Sequence, residues 1–161
     1  MRQHSSRDVP TIYPVGVVIA LLFALMACTN SSAPKVTITG TDPLIIVQRF
    51  TGAHEALLSG TLTYEAGSKC LRIGPAGGGG QSATPVWPSD TRPVLIGGKR
   101  GVDVPDVGTI LEGDGVKAKG GGSTWRKNPP SGVAIPDNCL PPGPDGTVMI
   151  ISEVIAVTRS G

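Results

Sequence analysis

Hydrophobic and polar residues alternate along much of this chain with a period of two. Leu58, Gly60, Leu62 and Tyr64 fall on one side, and Ser59, Thr61, Thr63 and Glu65 on the other. That is the spacing of a half-buried strand. Ala66-Gly67-Ser68 then turns the chain into Lys69–Ile73, where Leu71 and Ile73 share a side. Val102 and Val104 flank Asp103, and Val116 and Ala118 alternate with Lys117 and Lys119. Pro105-Asp106-Val107-Gly108 and Glu112-Gly113-Asp114-Gly115 read as the turns between these pieces. Thr147–Ser160 is a long stretch without Gly or Pro, rich in β-branched residues whose stiff χ1 rotamers favour a strand. Both its sides are largely apolar, which predicts a central strand, with a bulge near Ser152-Glu153. About six short strands separated by turns predict an all-β domain, and a small OB-like barrel would close its edges.

One segment breaks the pattern. Val15–Ala27 carries no charge and follows a start containing Arg2 and Arg7. Thirteen residues are too few for a bilayer, which takes roughly 20. A positive start and a short apolar run read instead as a secretory signal. Leu25-Met26-Ala27-Cys28 then resembles the lipobox of bacterial lipoproteins. The resemblance implies diacylglycerol on Cys28, cleavage before it, and an extracytoplasmic protein anchored to the bacterial cell membrane. Each buried CH₂ contributes about 0.8 kcal/mol, so two acyl chains hold stably. The expected organisation is a signal peptide over residues 1–27, a lipidated N-terminus and flexible tether over 28–42, and one β-barrel domain over 43–161.

Without Arg2, Arg7 and Asp8 the chain keeps 12 basic and 11 acidic residues. That balance gives no push toward nucleic acid. Gly and Pro number 23 and 15, which leaves little room for helices. Of the three cysteines, Cys70 and Cys139 remain once Cys28 is assigned to lipid. An even pair in an oxidising compartment reads as a disulfide.

The order Gly60-Thr61-Leu62, Cys70-Leu71, Pro85-Val86-Trp87-Pro88, two turn-linked short strands, Gly120-Gly121-Gly122 and Ile135-Pro136-Asp137-Asn138-Cys139 resembles small uncharacterised lipoproteins of high-GC Gram-positive bacteria. The resemblance covers most of residues 55–158 and implies a fold rather than an activity. The Gly74–Ser82 stretch is longer than that pattern, and its role is left open.

Catalytic chemistry finds little to use. Gly77–Gly80 lacks the G-x-x-x-x-G-K-[ST] order of a phosphate loop. His54 has no Cys/His neighbours for zinc, and no G-x-S-x-G elbow accompanies it. Asp103, Asp106, Glu112 and Asp114 lack calcium-loop spacing and read as turn residues. Neither a cofactor nor a metal is expected. Trp87 reads as a core anchor. Trp125, in a Gly- and Pro-rich stretch with Lys117, Lys119, Arg126 and Lys127, is a candidate ligand-contact loop, since an aromatic beside basic residues can stack a ring. The expectation is a non-enzymatic binding or scaffolding module for an envelope protein or glycan. An OB-type oligosaccharide- or oligonucleotide-binding domain is the alternative, and an envelope hydrolase ranks third.

Overall fold

A computed structural model describes residues 36–49, 56–75, 81–127 and 135–161. Ten strands follow in order: β1 Val36–Thr39, β2 Ile45–Gln48, β3 Ala56–Glu65, β4 Cys70–Gly74, β5 Thr84–Trp87, β6 Arg92–Ile96, β7 Lys99–Val104, β8 Gly108–Leu111, β9 Gly115–Thr124 and β10 Thr147–Thr158. The helical content of the described residues is a single 3₁₀ turn, Asp137–Cys139. The all-β reading therefore holds.

Seven strands form one sheet in the order β1-β2-β5-β10-β9-β3-β4, and β6-β7-β8 form a second, antiparallel one. β10 is central, as its two apolar sides required. Its ladder with β9 slips between Ile151 and Glu153 and again between Val154 and Ala156, so the bulge expected near Ser152 is present with a second beside it. Ser152 Oγ donates to the Lys119 carbonyl at 3.1 Å at the first slip.

The expected barrel is not formed. Among the described residues, β4 curls back toward the other end of the large sheet but meets it only in isolated bridges, Leu44 with Cys70 and Ile73 with Ala83. Ile73 and Ala83 exchange both backbone hydrogen bonds at 2.9 Å. The next such pairs in an antiparallel ladder lie two residues away on each side. They would join Pro75 to Gln81 and Leu71 to Pro85. Proline has no N–H to give, so each extension of the closing ladder loses one of its two hydrogen bonds. Val102–Val104, read as part of the barrel, instead belongs with β6 and β8 to the separate sheet.

The large sheet is covered on both faces. On one, Leu62, Leu71, Ile73, Trp87, Val116, Ala118, Ile151 and Val154 meet Val102, Val104 and Ile110 of the small sheet. Trp87 is fully buried there and anchors this first core as expected. On the other face, Ile46, Val86 and Val148 pack beneath Trp125, Ile135, Leu140 and the cystine.

Two further differences concern boundaries. Val36–Thr39 pairs antiparallel with Ile45–Gln48, so the folded sheet begins inside the segment assigned to the tether. The Gly120–Gly122 run is strand, not loop. A Cβ on Gly120 would lie 2.0 Å from the Ile150 carbonyl oxygen, so close approach of β9 to β10 selects glycine there.

Candidate functional site

Cys70 and Cys139 are joined by a disulfide with Cα atoms 5.4 Å apart, within the normal range for a cystine. The bridge ties the 3₁₀ turn to the start of β4. Thr84 Oγ1 donates to the Cys139 carbonyl, and Arg72 Nη2 donates to the Leu140 carbonyl at 3.4 Å. These contacts hold residues 135–140 as a flap over the second core.

The flap takes Trp125 out of play as a stacking surface. Trp125 is 5% exposed and packs beside the disulfide, which corrects the reading of it as a loop aromatic open to ligand. Its N–H donates to the Gly146 carbonyl at 3.2 Å and that of Arg126 to Asp145 at 3.1 Å. Lys127 forms an ion pair with Asp145, and Arg126 Nη2 reaches the Asp137 carbonyl at 3.5 Å. Lys117 and Lys119 stand exposed on β9, and Lys119 pairs with Glu153 at 2.8 Å. From Lys119 to Trp125 is about 20 Å along a strand at 3.3 Å per residue. The five residues proposed as one contact loop therefore do not converge on one groove. Cys28 and His54 lie outside the described residues.

Two polar clusters had no signal in the sequence because their members are distant along the chain. Asp42 Oδ1 accepts from Tyr64 Oη at 2.7 Å and from Arg100 Nε at 3.1 Å, and Oδ2 accepts from Arg100 Nη2 at 3.3 Å. The Arg100 guanidinium also lies 4.5 Å from the Tyr64 ring centre, a cation–π distance. The cluster bolts the β1–β2 corner to both sheets. Arg100 and Tyr64 together hold the Asp42 carboxyl below the usual carboxylate range, and Asp42 raises Arg100 and Tyr64. Asp114, 3% exposed, clasps the C-terminal end. Burial pushes its carboxyl up, but the N–H groups of Leu111 and Ser160 and the Arg159 guanidinium outweigh it, and the net shift is downward. Among the described residues no group of three or more His, Cys, Asp or Glu is placed to hold a metal ion.

A carboxylate whose folded pKa is depressed contributes stability above its unfolded pKa, near 3.9, and loses it as pH falls through the folded value. The melting temperature should therefore be steady from about pH 7 to 5 and fall below about pH 4. Asp42→Asn should blunt the acid dependence. Thermal melts against pH check this, and a midpoint indifferent to acid in the parent chain would contradict it.

A cleft of about 670 Å³ opens where the two sheets meet, lined by Pro88–Asp90, Val104–Val107 and Ser152–Val154. Its carboxylates come from three separate elements: Asp90 and Asp106 from turns, and Glu153 from the β10 bulge. Asp90 and Asp106 have φ of 66° and 64°, a conformation Asp tolerates better than most residues. A smaller cavity of about 210 Å³ shares Ser89 and Asp90 and reaches Gln48 and Thr91. The size of the cleft is in the range of small-ligand sites, and its lining offers carboxylates and hydroxyls without an aromatic platform. Comparison with protein-family models, curated proteins and solved structures finds no match for this chain.

Proposed function

We propose that this protein is an exported lipoprotein of the bacterial cell envelope, anchored through Cys28, whose β domain binds ligand without performing catalysis. The sequence Leu25-Met26-Ala27-Cys28 after a 13-residue apolar run carries the reading. A disulfide in the domain supports it, since cystines persist in oxidising compartments. The inter-sheet cleft is the binding site, and its ligand is an envelope glycan bearing hydroxyl and amino groups. Carboxylates and serine hydroxyls accept hydrogen bonds from both. Catalysis would need a nucleophile or base oriented by a partner; Asp90 and Asp106 sit on turns, and Glu153 pairs with the solvent-exposed Lys119.

Acyl labelling and membrane fractionation test the anchor: Cys28→Ser should lose the acyl group and free the protein from membranes, and unchanged labelling would refute it. Titration against amino-sugar oligosaccharides tests the cleft. Asp106→Asn and Glu153→Gln should each weaken binding by about tenfold or more, the worth of a charge-assisted hydrogen bond. His54→Ala should leave binding intact. Unaltered binding in both cleft variants would move the site elsewhere.

A further inference from the structure

β6 and β7 form a finger at the rim of the small sheet. Its two-residue tip, Gly97-Gly98, has φ of 59° and 83°, the conformation of the tight hairpin turns that suit twisted strands. Directly before the tip stand Leu95 and Ile96, 57% and 50% exposed. They are cross-strand partners of Arg100 and Lys99 and so point to opposite faces of the finger. Two large aliphatic residues on opposite sides of a glycine tip are covered together when a medium surrounds the tip.

Three observations decide what that medium is. Lys99, whose Nζ reaches Ser160 Oγ at 3.4 Å, and Arg100 follow the tip directly; Lys69 acts electrostatically on Asp42 and Glu112 on Arg100, and these three cations against two carboxylates leave one positive charge in excess, the sign suited to an anionic surface. Pro93, in the middle of β6, removes a backbone donor from that edge, which makes it a poor template for another strand or a second copy. The third is position. The β1–β2 corner lies against β6, since a Cβ on Gly40 would come within 2.8 Å of Pro93, and Asp42 holds Arg100. Seven residues separate Cys28 from Val36, a reach of at most ~28 Å. Val36 is about 13 Å of strand from Gly40.

We propose that the β6–β7 hairpin is a second membrane contact, its Leu95-Ile96 tip entering the interface of an anionic phospholipid bilayer while Lys99 stays at the headgroups. The proposal rests on the anchored reading of Cys28. One acylated terminus on a short tether leaves the domain free to swivel; a second contact fixes which face it turns to the envelope. The tether supplies a high local concentration of bilayer, so a two-residue tip suffices where it would be too weak alone.

The test uses the full chain, produced with its signal and carrying Leu95→Cys. With Cys70 and Cys139 bridged and Cys28 acylated, position 95 offers the free thiol for an environment-sensitive fluorophore. In vesicles of equal parts phosphatidylcholine and phosphatidylglycerol, emission should rise several-fold over the detergent-free aqueous value and be quenched by nitroxides carried in the bilayer. A label at Lys117→Cys, on the exposed part of β9, should stay in water. Equal quenching of both labels by aqueous iodide overturns the proposal, as does a signal that follows protein density rather than lipid, which would mean contact between copies. Acyl content is read on the same samples. A chain without acyl groups overturns the anchor, whereas an acylated chain with its position-95 label in water overturns the hairpin contact alone.

Discussion

Breaking the Cys70–Cys139 bridge is expected to lower stability by about 4 kcal/mol. The two residues are 69 apart in sequence, and closing a loop of that length removes roughly this much entropy from the unfolded chain. Against the 5–15 kcal/mol typical of a folded domain, that is a large share, worth roughly 10–20 °C in melting temperature for a domain of this size. The loss should also be uneven. The bridge holds the flap, with Thr84 and Arg72 helping, while the first core lies on the opposite face of the sheet and contains neither cysteine. A Cys70→Ser, Cys139→Ser protein should therefore expose the second core first: hydrophobic dye binding should appear before strand circular dichroism is lost. A melting temperature within about 2 °C of the parent would show that the bridge is incidental to the fold.

The strands were legible where a single rule governed them. Alternation placed Leu62, Leu71, Ile73, Val102, Val104, Val116 and Ala118 on inward sides, and all seven are buried in the first core. The mixed pattern of β10 disclosed its central place and its bulge. The closure was not legible, because it depends on which residues face each other across β4 and β5. Pro75 and Pro85 look harmless in their own segments and weaken the ladder only once Ile73 meets Ala83. Nor was the Asp42–Tyr64–Arg100 cluster, whose outer members are 58 residues apart. Trp125 shows a third limit. Basic and glycine-rich neighbours suggested an exposed loop, but burial was decided by a cysteine 14 residues later in the chain, and local composition does not register a covalent tie made at a distance.

Trp125→Ala should in consequence act on the fold and not on a binding surface. Truncating a buried tryptophan costs about 3–5 kcal/mol, through lost transfer energy and the cavity left behind. Trp125→Phe, which keeps an aromatic in the same space, should recover a good part of that. Lys117→Ala with Lys119→Ala should change stability by no more than about 0.5 kcal/mol each, because both lysines are exposed and the Lys119–Glu153 pair is open to solvent on both sides, where ion pairs contribute little. The stronger check is coupling. Trp125 and Cys139 belong to one cluster, so once Cys139→Ser with Cys70→Ser has loosened the flap, removing Trp125 should cost less than it does in the parent, with a non-additivity of about 1–3 kcal/mol. Trp87→Val, a truncation in the first core, should add to the cysteine substitutions with little coupling. Denaturant melts of the single and combined variants measure each quantity. Full additivity at Trp125, or coupling as large at Trp87, would mean that the two faces of the sheet do not carry separate cores energetically.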